Sequence, residues 1–385
     1  MSGAAHIIGA YEHPGRHLPD RSLAQIHADV TLGALADAGL STRDVDGYFC
    51  AGDAPGVGPL SMAEYLGLDC AYVDSTELGG ASYLAHVAHA AAAIATGRVH
   101  VALITLGGKP RTGGIAPGVA DPRGPEFNVE QRYGMSVPAG YAMAAQRHMH
   151  DYGTTSAQLA AVKATFSEHA QHNPHAFLPG VVTVEEVLDS PLVADPLHRL
   201  DCCVVTDGGG ALVVVSPEIA ASLPRRSVRV LGHAETVWHR HDGRIDLTRS
   251  GAQITGPAAF AEAGVTPADI DYAGIYDSFT ITVIENVEDL GFCAKGAGGP
   301  FVASGALSAP YGQLPTNSDG GGLCNNHPAN RGGMTKSIEA VRQLRGEAHP
   351  AMQVPDCELA VVHGTGGSLA LRAGVATLVL GAEDA

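Results

Sequence analysis

Aromatic residues, positive charge and long apolar runs are all scarce in this chain, and each shortage narrows what it can be. Aromatics make up 5% of the 385 residues, with a single tryptophan. That scarcity, beside 49 glycines, suits the tight turns of an α/β protein. Lys and Arg number 23 against 40 Asp and Glu, a formal charge of −17. Such a balance argues against a nucleic-acid binder. It leaves room for an anionic small molecule held by a local basic patch, for which Lys109, Arg111, Arg123 and Arg132 are the candidates. No stretch reaches about 18 apolar residues without a charge or a break, so no membrane span is expected. The opening MSGAAHIIGAYEHPGRH has no cationic flank and too short an apolar run for a signal peptide. Seven cysteines, an odd number with no CxxC pair, speak against a zinc ribbon and for a reducing, cytoplasmic setting.

What is present describes a globular protein, 45% hydrophobic and 16% charged, long enough for two or more cores. Its most informative feature is an internal repeat. Residues 34–46 read ALADAGLSTRDVD and residues 259–271 read AFAEAGVTPADID, with six identities in an ungapped alignment. Each copy reads as a helix end closed by glycine, then a Ser or Thr turn, then a strand. A helix over 80–96 leads to the apolar strand VHVALITLGG, and MTKSIEAVRQLRG leads to ELAVVHGTGG. Two α/β halves with mainly parallel sheets and right-handed crossovers are therefore expected. The halves would comprise residues 1–107 with 201–222, and residues 223–385. Residues 108–200, richer in Pro, His and charge, read as an inserted loop domain with short helices over 151–173. The run from Asp201, DCCVVTDGGGALVVV, reads as a core strand.

Several positions draw chemical attention. VDSTELGGASYLAHVAHAAAAIATG (73–97) has the strand, tight turn and helix start on which many α/β enzymes present a nucleophile. No cysteine lies between Cys70 and Cys202, and the nearby hydroxyls are Ser75, Thr76 and Ser82. Tyr276, Asp277 and Ser278 follow a predicted strand. Tyr276 could be a core residue, Asp277 could order a turn, and Ser278 could cap the helix TITVIENVEDLGF. His327 lies in a polar, glycine-flanked loop, and His363 ends an apolar strand at a glycine loop. The 19 histidines include the pairs His86/His89 and His148/His150 and the series His169, His172 and His175. No carboxylate recurs at ligand spacing beside them, so no metal site is expected. DGGGA (207–211) lacks the spacing and the lysine of a phosphate-binding loop.

Five segments in order, STELGGAS (75–82), DCCVVTDGGGALVV (201–214), IYDSFT (275–280), GGGLCNNHPANRGG (320–333) and HGTGGSLA (363–370), resemble the thiolase superfamily. Within it the chain looks most like sterol-carrier-protein-type thiolases and the related lipid-transfer-protein group. The resemblance implies a thiolase fold: two βαβαβαββ halves in a layered α-β-α-β-α core with an inserted loop domain. It also implies a coenzyme A thioester as substrate, no permanently bound cofactor, a homodimer built on the N-terminal halves and a small OB-fold/zinc-ribbon partner. The nucleophilic cysteine of a thiolase would fall at or next to Gly80, and here it is missing. The second cysteine of the sterol-carrier type, in its HDCF motif, is replaced by Ser278. The histidine of the GHP motif is kept as His327, and the late glycine loop as His363-Gly364-Thr365-Gly366-Gly367.

A thiol is partly ionised near neutrality and intrinsically nucleophilic, whereas glycine offers nothing and serine needs a base. The expected chemistry is therefore polarisation of a thioester without covalent capture, by the helix start after Gly80 together with His327. That suits a retro-aldol step on a β-hydroxyacyl-CoA. The retro-aldolases of the lipid-transfer-protein group likewise lack the cysteine and carry a YDxF tyrosine, which makes Tyr276 the expected acid/base. Asp277, Ser278 and His363 complete the candidate catalytic set, and Gly80, Ser82, Gly364, Gly366 and Gly367 the substrate-binding set. Two alternatives stand beside this reading: an acyltransferase using another nucleophile such as Ser82, and a non-catalytic acyl-CoA-binding scaffold subunit.

Overall fold

The computed structural model describes residues 5–52, 54–113, 127, 132, 134–239, 245–328, 332–368 and 372–383. The repeat is visible in the backbone. Helix α1 (Leu23–Ala38) ends at Gly39 with φ 73°, and the helix Ala252–Ala263 ends at Gly264 with φ 74°, both in the left-handed region that glycine enters without strain. A single 3₁₀ turn follows each, capped by Ser41 over Asp44 and by Thr266 over Asp269. The last aspartate of each copy then ties down the start of a neighbouring strand. Asp46 accepts from the amides of His100 and Val101, and Asp271 from those of Glu358 and Leu359. The same device thus fixes parallel register in both halves.

The first half runs β1 (His6–Glu12), α1, β2 (Gly47–Cys50), α2 (Pro59–Leu66), β3 (Tyr72–Asp74), α3 (Ser82–Ala95) and β4 (Val101–Gly108). An excursion comes next, made of α4 (Val137–Tyr152), α5 (Ser156–Ala170) and a small hairpin of β5 (Leu192–Ala194) and β6 (Leu197–His198). Strand β7 (Gly208–Val215) returns the chain to the first half, between β4 and β1. The second half runs β8 (Val228–His239), α6 (Ala252–Ala263), β9 (Tyr272–Ile275), α7 (Thr280–Asp289), α8 (Gly332–Arg345), β10 (Leu359–Ser368) and β11 (Arg372–Ala382). Hydrogen bonding links nine strands in the order β3-β2-β4-β7-β1-β8-β11-β10-β9. Within the sheet the halves join at β1 and β8, where His6 pairs with Arg229 and Ile7 with Val228.

Three cores separate the layers. Tyr48, Val30, Leu35 and Met62 pack α1 and α2 on the outside of the first half. Leu84 and Val87 of α3, with Ile338 and Val341 of α8, pack between strands of both halves, against Ile104, Leu212, Val362 and Leu378. Phe260, Ile281 and Ile284 of α6 and α7 cover the outside of the second half together with Tyr141 and Phe166 of the excursion. The alanine-rich sequence of α3 suits its central place, since small side chains let a helix approach strands of both halves closely. No described helix is long and apolar enough to cross a membrane.

Three expectations need correction. The halves are not mainly parallel: β2–β3, β2–β4 and β9–β10 are parallel, while β1–β7, β4–β7, β1–β8, β8–β11 and β10–β11 are antiparallel. A strand buried on both faces is an apolar run whichever way it points, so composition does not carry direction. In the excursion, helices cover 137–152, 156–170 and 184–188, where short helices were expected over 151–173. Gly153, at φ 77°, closes α4, and Thr155 caps α5. The strand expected from Asp201 starts at Gly208, with only an isolated bridge from Cys202 to Phe279 before it.

Candidate active site

The site forms where β9 and β10 end beside the start of α3. Tyr276 follows β9, and its amide is held by the His363 carbonyl at 2.9 Å. Its phenol ring lies where Gly80 and Gly332 leave room. A Cβ on Gly80 would stand 2.5 Å from the Tyr276 ring and 2.3 Å from the Thr365 carbonyl, and one on Gly332 would stand 2.6 Å from the ring. The place expected for a nucleophilic cysteine is therefore filled by tyrosine. The phenol hydroxyl meets His327 Nε2 at 2.8 Å, both groups buried.

His327 is held from several sides. Gly320 and Gly321 take φ of 95° and 61°, so the loop before it can turn tightly. Asp277 grips the turn Gly321–Cys324 by accepting from the amides of Gly322 (2.8 Å) and Leu323 (3.1 Å), and Lys336 pairs with Asp277 at 3.0 Å. At the far end of that turn Lys163 donates to the Leu323 carbonyl at 2.7 Å. A relay of fixed direction sets the histidine backbone. His327 N–H donates to Thr206 Oγ1 (2.9 Å), Thr206 donates to Asn326 Oδ1 (2.7 Å), and Asn326 donates to Glu12 (2.8 Å). Arg16 meets both Glu12 and Asn325.

Burial governs the protonation of this pair. It lowers the His327 imidazole to about 4; the Lys336 charge lowers it too, and the Asp277 charge opposes. It raises Tyr276 well above the usual phenol range, helped by the nearby Cys203, Tyr141 and Asp277. At neutral pH the pair is a neutral imidazole against a neutral phenol. It can pass a proton without first storing a charge.

A cavity of about 250 Å³ opens onto the pair. Its walls are largely apolar: Val137, Pro138, Tyr141 and Val193 of the excursion face Val205 and Phe279, and Tyr141 stacks on Phe279 at 4.2 Å between ring centroids. Ser278, Cys203 and residues Thr365–Gly367 of β10 also line it.

Membership of a family is decided by sequence similarity over the whole chain. An acetyl-CoA acetyltransferase of Methanothermobacter thermautotrophicus is 34% identical, over 95% of this chain and 98% of its own. The chain belongs to the thiolase superfamily. A 17-hydroxy-3-oxo-4-pregnene-20-carboxyl-CoA lyase of Mycobacterium tuberculosis is 35% identical, over 90% of this chain and 92% of its own. Residues 234–382 match the family model described as thiolase C-terminal domain-like. The solved structure of an "Ltp2-ChsH2(DUF35) aldolase" superposes with a TM-score of 0.89 at 32% identity, covering 99% of this chain and 98% of that one. The fold is a thiolase fold, and the relatives place the chain in the sterol-carrier-protein-like, aldolase-related branch.

Within that thiolase fold the sequence candidates separate. Tyr276, His327, Ser278, Gly366 and Gly367 line the cavity. Ser278 lies one residue before the Phe279 N-cap of α7 and meets Thr282 Oγ1 at 3.3 Å, so it is not the helix cap. Asp277 faces the loop behind the site. Gly80 backs the Tyr276 ring, and Gly364 lies against Gly80 and Ala81, so the start of α3 is covered and does not face the cavity. Ser82 lies outside the cavity with its hydroxyl engaged: it accepts from Leu78 N–H and donates to the Gly79 carbonyl, each at 2.8 Å. His363 also points elsewhere. Its Nδ1 meets Thr377 at 2.8 Å, that hydroxyl meets Thr255 of α6, and burial lowers the imidazole to about 3. Alternation along β10 sends this side chain to the outer helices.

Sequence reasoning missed Cys203, Tyr141 and Lys336. Cys203 lines the cavity and donates its amide to the Ser278 carbonyl at 2.9 Å; burial pushes its thiol far up, against nucleophilic use. Of the basic candidates, Arg111 stands near the mouth, 4.5 Å over the Phe177 ring and 3.2 Å from the Val205 carbonyl. Lys109 is bonded to the carbonyls of Pro19 and Arg21, Arg132 is exposed, and Arg123 lies outside the described residues. The histidines serve local ion pairs and backbone contacts: His89 bridges Asp74 and Glu235, His148 meets Glu288, and His169 meets the Asn317 carbonyl. No metal-holding cluster occurs among the described residues.

Proposed function

We propose that this protein cleaves or forms the Cα–Cβ bond of a β-hydroxyacyl-CoA by a retro-aldol step without a covalent acyl-enzyme. The observation that carries the proposal is the Tyr276–His327 contact of 2.8 Å at the floor of an apolar cavity, with the nucleophile position closed at Gly80. Tyr276 takes the proton of the β-hydroxyl as its own passes to His327 Nε2. The Cβ–O bond becomes a carbonyl, the Cα–Cβ pair moves onto the thioester as an enolate, and Cα then takes a proton from Tyr276 as His327 returns its own to the phenol, which restores the resting pair. A phenol held far above its ordinary range does not ionise alone, so the neutral imidazole is the necessary acceptor. The apolar wall from the excursion fits a bulky lipid- or sterol-type acyl group, as the name of the pregnene-carboxyl-CoA lyase also suggests.

The acyltransferase reading fares worse, because the Ser82 hydroxyl is committed to its own turn. Two partners complete the proposal. One is a second copy of this chain, to which the end strand β3 with half-exposed Val73 offers an unpaired edge. The other is a small subunit of the DUF35 type, as in the name of the aldolase neighbour.

The test is turnover of a bulky β-hydroxyacyl-CoA with and without such a subunit, with chromatography of the shortened acyl-CoA and the released carbonyl compound. Intact mass is measured in parallel. A stable acyl adduct with no carbonyl product would sink the non-covalent reading. Full activity in Tyr276→Phe would sink the site.

A further inference from the structure

Lys336 is an expensive residue to keep where it is. Its side chain is 1% exposed, and its ammonium meets Asp277 Oδ1 at 3.0 Å with no other hydrogen-bond partner among the described residues. The Asp277 carboxylate is already shared with two backbone amides. A buried ammonium with one divided partner is poorly compensated for its lost hydration. Holding Asp277 in place is a weak reason for it, since the amides of Gly322 and Leu323 already do so.

Its location suggests a better reason. Gly332 and Lys336 lie one turn apart on the same face of α8. Gly332 backs the Tyr276 ring, and Lys336 meets the residue next to Tyr276 in the chain. Gly322, bonded to the same Asp277, packs against the His327 ring, with 3.2 Å from its Cβ position to Cδ2. Building on the retro-aldol reading, we propose that Lys336 is a positioning residue for that reaction, its buried ammonium supplying the positive field in which the Tyr276–His327 pair works. The charged groups acting on His327 are Asp277 and Lys336, with opposite sign. Those around Lys336 are Asp277, Asp319 and Glu12; burial works against its charge, and these carboxylates more than restore it. The ammonium therefore stays charged through the working range. It disfavours a lasting imidazolium, so the proton that His327 accepts is readily returned, and it favours the negative charge that develops on the thioester oxygen.

The experiment compares Lys336→Met, Lys336→Gln and Lys336→Arg with wild type in the full-length protein with its partner. Gln keeps a hydrogen-bond donor for Asp277 and removes the charge, so it serves if Met does not fold. Both neutral variants are expected to lower kcat about ten- to a hundred-fold, less than the ~10²–10⁴ of a direct acid–base group, with KM within about twofold. Arg should recover most of the rate. The His327 ring signal, followed by NMR against pH without substrate, should titrate at higher pH in Lys336→Gln than in wild type. A wild-type kcat and an unmoved His327 titration in Lys336→Gln would overturn the proposal. If no aldol turnover is found in any form, the retro-aldol reading fails while the His327 titration still decides the action of Lys336.

Discussion

The two halves of the molecule use the same scaffold and do different work with it. Each carries a helix stopped by glycine, a capped turn, an aspartate clamp and a short parallel strand. After β2 the chain continues through Ala51 to α2, a short helix with Met62 as its one buried residue. At the matching point after β9 stands Tyr276, succeeded by α7, whose ten residues are all buried. The lesson is that the repeated elements set the frame, and the candidate site is lodged in the residues just past the strand. The first half contributes by omission: Gly79 and Gly80 let the second half's tyrosine and glycine loop close on the start of α3.

That contrast can be tested from both sides. The largest effects are expected in the second half. On the proposed relay, Tyr276→Phe and His327→Ala should each cut kcat/KM by about 10²–10⁴, and the double variant should be little worse than either. Additive losses in steady-state kinetics would split the pair. Next comes the omission. Gly80→Ala must displace the Thr365 carbonyl or the Tyr276 ring, so a loss of about 1–3 kcal/mol in denaturant titration is expected, with slower turnover. An unaltered melt with full activity would mean that the two halves do not meet as described.

The pH profile sharpens the assignment within the pair. A His327 lowered to about 4 stays a neutral acceptor down to that value, so kcat/KM should hold from neutrality to about pH 5. It should fall about tenfold per unit as pH drops below about 4, because protonation removes the acceptor. An acid limb near 6.5, the ordinary histidine value, would place the base in a solvated site. The smallest effects belong to the shared frame. Asp46→Asn and Asp271→Asn should each cost about 1–2 kcal/mol of stability and leave kcat alone, since they perform the same task in the two halves. A selective fall of kcat in Asp271→Asn would show that the clamp tunes the site.

Much of the frame was readable from the sequence, because its signals are local. Gly39 and Gly264 stop helices for the same steric reason, and the Ser41 and Thr266 turns come at the same distance. The meeting of Tyr276 with His327 was legible through family resemblance, since the residues are 51 apart in the chain. Strand direction was not legible, because β7 and β11 are as apolar as parallel strands would be. Nor was the outward turn of His363, which depends on the parity of its place in β10. The clamp on His327 was invisible for another reason. Asp277, Lys163, Lys336 and Glu12 reach it from four separate segments, and nothing in the spacing of any one of them points to the others.

Gly80 has a consequence for any attempt to convert this protein to sulfur chemistry. A thiol at that position and the phenol of Tyr276 would compete for the same few cubic ångströms. No single exchange can install the one without evicting the other. An engineer would have to trade both residues together, and the two mechanisms are therefore alternatives in one space, never a graded series.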